Sequence, residues 1–272
     1  MRLTSVASGS LTVLTVLTAL ALLVGGQQRP VTTVAASTPM SARPEARTVD
    51  SLSGSENRRA RTTRREVALT FNAAWDDAGV DTALKVLRER HVPAMFFLTG
   101  QFAEQQPAAA RAMAAEHGIG NHSYDHPYFD DLSPARVAQQ VFRADHAIRE
   151  ATGKEPLPFF RFPYSATTPR GIADVNALGF ADVEFTVDTQ GYKGDAGGMT
   201  VQRVVDRVVA ALTPGAIVQM HVGADVAEGQ HTSLDAEALP RIIDAIQAHG
   251  YRVVGLGALL LGPARCAPRR TC

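Results

Sequence analysis

The chain is poor in cysteine, lysine and aromatic residues. Its 272 residues include two cysteines, three lysines against 24 arginines, and a single tryptophan. Cys266 and Cys272 stand at the C-terminal end, with no histidine at metal-ligating spacing, which excludes a zinc-ribbon type of site. Two readings stay open for them: a disulfide closing a small loop in an exported protein, or two incidental thiols in a tail. Net charge is also lacking: 27 basic residues balance 27 acidic ones, so nothing supports nucleic-acid binding, which needs a basic face. The scarcity of lysine against arginine reads as the coding bias of a GC-rich genome and says nothing of a ligand. Long apolar runs are absent too. The longest, Leu11 to Val24, falls short of the roughly 20 residues that span a bilayer comfortably.

That run follows Arg2 and suits the apolar core of a secretory signal, with "VAA" at Val34 to Ala36 as a small-residue cleavage site. Residues 1–26 are expected to be a signal peptide or a signal anchor, and the protein to be secreted or held at the cell surface. The anchor would be its only membrane contact. Residues 27–65 are rich in Ser, Thr, Pro and Arg and show no hydrophobic period, so they are expected to form a disordered linker. Order is expected from Glu66 to about residue 260, with 261–272 as a tail. No partner protein or oligomeric state is marked.

Within 66–260, apolar runs alternate with helical patterns. "EVALTFN", "PAMFFLTG", "FFRFPYS", "FADVEFTVD", "AIVQMHVG" and "YRVVGLGALL" read as strands. Between them, "SPARVAQQVFRADHAIREATG" has Ser133 at the N-cap and Pro134 at the first helical position, and "QQPAAARAMAAEHG" stops at Gly118 as a C-terminal cap. Mostly continuous apolar strands separated by helices argue for a parallel sheet covered by helices, in one α/β domain or incomplete barrel.

Ligands in such folds gather at the C-terminal ends of the strands. Here those ends read "TFN", "NHSYDH", "RFPY", "VDTQGY" and "MHVG", each delivering polar groups after an apolar run. His122 and His126 can converge on one cation, since neutral imidazole suits zinc and similar metals. His221 ends a buried strand, and Asp188 ends the one before it. A carboxylate there would raise the imidazole's proton affinity and suit it to general acid work. Arg161 would supply a fixed positive fork, with Pro163 stiffening its loop. The other histidines read as surface or satisfied residues, although His231 in "EGQHTS" could meet substrate.

With these stretches assembled, the domain resembles the polysaccharide deacetylases, the NodB-homology domain of the family 4 carbohydrate esterases. The resemblance covers about residues 66 to 260. "HSYDH", "RFPY", "VDTQGY" and "LTPGAIVQMHVG" are similar to that family's second to fifth motifs, in family order. It implies a distorted (β/α) barrel of about seven parallel strands. It also implies removal of acetyl groups, N-acetyl above all, from peptidoglycan or chitin-like chains, assisted by a divalent metal: zinc, with cobalt or nickel as alternatives. By position, His122 and His126 would hold the metal and His221 would protonate the departing amine. Asp188 would tune His221, and Arg161 would orient the base. Tyr164 and Tyr192 would form the acetyl pocket.

The first motif departs. Where the family has Thr-Phe-Asp-Asp-Gly, this chain has "TFNAA", with Asn72 at the base position and Ala73 at the ligand position. An amide cannot take a proton from water, and a methyl cannot bind a cation. Two expectations follow. In the first, Asp76 or Asp77 in "AAWDD" reaches back as ligand or base, while Trp75 packs the loop and meets substrate; Asp76 is then the third metal ligand. Retention of Arg161 favours this one, because a buried guanidinium without a carboxylate is costly. In the second, the domain is a catalytically inactive wall protein that binds glycan.

Overall fold

The computed structural model describes residues 49–223 and 233–262. The apolar segment Leu11–Val24, the His231 loop and both cysteines lie outside the described residues. The chain divides into residues 1–43 and 44–272, and all described residues belong to the second unit.

Among the described residues the α and β elements follow in chain order: β1 (Glu66–Ala73), α1 (Val80–Glu89), β2 (Ala94–Leu98), α2 (Gly100–Gln105), α3 (Pro107–Glu116), β3 (Gly118–Asn121), α4 (Pro134–Thr152), β4 (Phe159–Phe160), α5 (Pro169–Ala177), β5 (Ala181–Asp182), β6 (Val187–Asp188), α6 (Val201–Ala210), β7 (Ile217–His221), α7 (Leu234–Ala248), β8 (Arg252–Val253) and α8 (Leu256–Leu261). The strands run in the order β5-β4-β3-β2-β1-β7-β6, all pairings parallel, with β8 added beside the start of β1. The two outer strands, β5 and β6, are joined by residues 183–186 alone, so the sheet must curl to bring its ends toward each other. The result is a half-barrel of seven parallel strands with helices, the distorted (β/α) barrel that the resemblance implies.

Alternation along the strands sorts side chains into two layers. From β1, Val67, Leu69, Phe71 and Ala73 join the core beneath the helices, together with Phe96, Leu98, Val218 and Met220. Ala68 faces inward with Met95, Phe97 and Ile217. The same alternation turns Thr70 and Asn72, and on β7 Gln219 and His221, toward the interior. This register positions the site.

Four expectations change. Residues 49–65 are not wholly a disordered linker: Leu52 and Ala60 are buried in the inner core with Leu256, Leu259 and Leu260, and Asn57 Nδ2 donates to the Asp182 carbonyl at 2.8 Å. The polar composition hid two apolar anchors. "FADVEFTVD" is two short strands at opposite sheet edges, because its middle crosses the barrel seam. "YRVVGLGALL" is a two-residue strand and then helix α8, since Leu256, Leu259 and Leu260 share one helical face and all are buried. Gly118 opens β3 and is no cap; a Cβ there would meet Met95 Sδ at 2.7 Å. Ser133 does cap α4, its hydroxyl accepting from the Arg136 amide.

Candidate active site

A cavity of about 530 Å³ opens at the C-terminal ends of the strands. Every residue predicted for the site lines it except Arg161, which lies beneath its floor, and Gln219 lines it as well. Five of the six non-glycine residues with positive φ among the described residues lie on the loops that supply these groups: Ser123, His126, Tyr164, Ser165 and Gln190. Each such conformation costs on the order of 1–3 kcal/mol, and strain of this kind collects where the surroundings hold a functional geometry.

His122 and His126 converge, their Nε2 atoms 3.2 Å apart. His122 Nδ1 lies 2.8 Å from the Arg161 carbonyl, so it carries the proton and leaves the Nε2 lone pair facing the cavity. Burial, with His126 beside it, holds His122 well below the usual imidazole range. Burial and the nearby His221 bring His126 to about 4. Both rings are therefore neutral at neutral pH, the state able to hold a cation.

The rest of the donor set does not complete a catalytic metal site, which takes about three protein ligands. Ala73 packs its methyl into the core on the helix side of β1. Among the described residues, no group of three His, Cys, Asp or Glu side chains stands at metal-holding distance. Asp76 lines the cavity, but its Oδ1 accepts from the Ala78 amide at 3.0 Å in a local turn. Asp76 thus shares the cavity with the two histidines without being gathered into one donor group with them, and its Oδ1 is engaged in its own turn.

Asn72 is fixed as an amide. Its Oδ1 accepts from Arg161 Nη1 at 3.0 Å, and its Nδ2 donates to Gln219 Oε1 at 3.2 Å. Gln219 escaped the sequence reading, though an inward polar residue two before His221 on an otherwise apolar strand was a usable signal.

Arg161 is fully buried and spans the barrel. Nη1 also donates to Thr70 Oγ1 at 3.0 Å, Nε to the Val183 carbonyl at 3.0 Å, and Nη2 to the Glu184 carbonyl at 3.3 Å. The guanidinium thus ties β1 to the seam where β5 leads into β6, with Phe97 stacked 4.1 Å away. Burial lowers it to about 10, opposed by neighbouring acids, Glu184 foremost. Glu184 and Asp182 are both fully buried. Burial and the proximity of Glu184 push Asp182 up to about 9, so it holds its proton at neutral pH. Glu184 acts on Arg161 through space and not as an ion pair: its Oε1 accepts from the Phe162 amide at 3.1 Å, and burial raises its own affinity for a proton. Its presence weakens the argument that Arg161 calls for a catalytic acid at the first motif.

His221 has two carboxylates. Asp188 Oδ1 lies 4.0 Å from its Nδ1, and Asp235 Oδ2 lies 3.7 Å away while accepting from the His221 amide at 2.8 Å. Asp235, in the first turn of α7, was missed because "SLDAE" reads as an ordinary helix start. Tyr192 packs on the His221 ring at 4.5 Å. Trp75 meets the His126 ring at 4.9 Å and Tyr164 meets it at 4.5 Å.

A parallel barrel with this order of strand-end groups defines a carbohydrate deacetylase scaffold. Residues 59–183 match the family described as Polysaccharide deacetylase. The chitooligosaccharide deacetylase of Bradyrhizobium sp. (strain ANU 289) is 34% identical over 70% of this chain and 88% of its own length. The peptidoglycan-N-acetylglucosamine deacetylase of Bacillus cereus is 29% identical over 71% and 68%. Among solved structures, BA3943, a family 4 carbohydrate esterase pseudoenzyme from Bacillus anthracis, superposes with a TM-score of 0.68 at 27% identity, covering 77% of this chain and 70% of its own. A mutant of that pseudoenzyme with restored enzymatic activity is equally similar, with a TM-score of 0.68. The chain belongs to the polysaccharide deacetylase family.

Proposed function

We propose that this chain receives an N-acetylated sugar of a glycan in the strand-end cavity and holds it without hydrolysing it. The observation that carries the reading is Asn72. Where a base must take a proton from water, an amide is locked between Arg161 and Gln219: its oxygen accepts from the guanidinium and is far too weakly basic to deprotonate water. An acetamido group presents an N–H, a carbonyl oxygen and a methyl. The cavity lining offers the carboxylates of Asp76 and Asp188, the imidazoles of His122, His126 and His221, and aromatic walls from Trp75, Tyr164 and Tyr192, the mixture that small-ligand pockets use. The deacetylase relatives named above act on chitooligosaccharide and on peptidoglycan N-acetylglucosamine. The pseudoenzyme BA3943 supports loss of hydrolysis on the same scaffold. The N-terminal apolar run supports export, and the mature N-terminus from culture medium or membrane checks it.

Calorimetric titration with a pentamer of N-acetylglucosamine, beside the matching glucosamine pentamer, tests the binding claim. The acetylated chain alone is expected to bind. Equal binding of both, or of neither, overturns it.

One observation favours a second reading. Asp76 and His221 line the same cavity, and His221 keeps its carboxylates. A deacetylase in which Asp76 takes the proton of water and His221 protonates the amine would use them. It requires the Asp76 side chain to leave its turn.

A further inference from the structure

The chain has one tryptophan and five tyrosines; three of these six residues line the cavity and a fourth stacks on one of the three. Trp75, Tyr164 and Tyr192 line it. The fourth, Tyr128, does not. It lies outside the rim, its ring stacked on Tyr164 with centroids 4.1 Å apart and planes at 16°. Trp75, His126, Tyr164 and Tyr128 form an unbroken series of ring contacts running from the cavity outward. Five large apolar side chains are exposed among the described residues, and three belong to this ridge: Trp75 at 54%, Tyr128 at 53% and Tyr164 at 53%.

Exposed aromatic rings are poor surface residues unless something covers them. These are also held in place. Phe129, next to Tyr128, is buried against Phe160 and Phe162, which fixes the backbone that turns Tyr128 outward. Tyr164 adopts φ 59°. A non-glycine residue there is strained, so the outward ring is bought at a cost the fold would lose by any relaxation. A pyranose ring has a C–H face and a hydroxylated edge, and it matches a ring that is apolar on its face and wet at its rim.

From this ridge we infer that Tyr128 is a specificity-determining residue, packing the sugar next to the one held in the cavity and so selecting oligomers over monomers. The inference rests on the reading that the cavity receives an N-acetylated sugar. A glycan long enough to leave the cavity along the ridge meets Tyr128 beyond Tyr164; a single N-acetylglucosamine does not reach it.

Calorimetric titration of the full chain with N-acetylglucosamine and with its pentamer tests this. Tyr128→Ala is expected to weaken pentamer binding about tenfold, the equivalent of one aromatic packing contact, and to leave monomer binding unchanged. Tyr128→Phe should bind as the wild type does, because the ring face and not the hydroxyl makes the contact. Phe142→Ala, another exposed aromatic that does not line the cavity, should change neither affinity. Unchanged pentamer binding in Tyr128→Ala overturns the inference and leaves the cavity reading standing. So does loss of a wild-type dimer in that variant at unchanged glycan affinity, which would give the ridge to a second copy of the chain. A wild-type chain that binds neither sugar overturns both.

Discussion

Replacing Arg161 by methionine separates two accounts of a residue that sequence reasoning assigned to catalysis. In the structure it is a clasp. It supplies donors to Thr70, Asn72 and the carbonyls of Val183 and Glu184, and it carries the positive charge opposite Glu184. Methionine fills similar volume but leaves two seam carbonyls without these donors and a buried acid pair without its cation. Removing one partner of a buried charged set costs about 3–5 kcal/mol. In a domain of about 200 residues each kcal/mol moves the melting temperature by about 2–4 °C, so the variant should melt roughly 6–20 °C lower. The assay is thermal unfolding followed by circular dichroism. Arg161→Lys keeps the charge without the fork and should fall between the two. Adding Asp182→Asn and Glu184→Gln to Arg161→Met removes the stranded charge and should recover part of the loss, an interaction measured by a cycle of the wild type, Arg161→Met, the acid-pair variant and the triple variant. Arg161→Met melting within 2 °C of the wild type, or no recovery on neutralising the acids, would refute the clasp.

Two further outcomes follow from the same core. Asp182 has a folded pKa of about 9, far above that of the unfolded chain, so the folded state binds the extra proton between about pH 4 and 9. Its stabilisation is full below that window and is lost as pH rises through it. Asp182→Asn should flatten the fall of the urea midpoint between pH 5 and 8.5, by up to about 1.4 kcal/mol per pH unit; an unchanged slope counts against protonation of Asp182. Gly191→Ala places a methyl 2.3 Å from Asp235 Oδ1, the carboxylate whose other oxygen holds the His221 amide. Overpacking of this kind costs about 1–3 kcal/mol, and the histidine imidazole signal in NMR should move; a silent variant would mean that Asp235 is free to shift.

The barrel was legible because its evidence is local. Short continuous apolar runs, helix caps such as Ser133, and polar residues at strand ends all lie within a few positions of one another. The histidine pair and His221 were legible for the same reason. What escaped depends on contacts across the barrel. Glu184 is the charge opposite Arg161 only because β4 and the β5–β6 seam meet, and no spacing along the chain announces it. Asp235 reaches His221 from the next helix. Leu52 and Ala60 looked like a linker because two apolar residues in a polar segment have no period. The departure at Asn72 was visible in the sequence. Its meaning was not, since the argument from an unpaired Arg161 needed Glu184 to correct it.

The most direct test of the account is acetate release from the N-acetylglucosamine pentamer and from peptidoglycan by the full chain, with Zn²⁺ or Co²⁺ added, in parallel with calorimetric binding of the same pentamer. The account predicts binding with no release above a buffer blank. Release that follows enzyme concentration and disappears in both His221→Ala and Asp76→Asn would contradict it, and would show that the carboxylate of the loop after β1 has taken over the position left by Asn72.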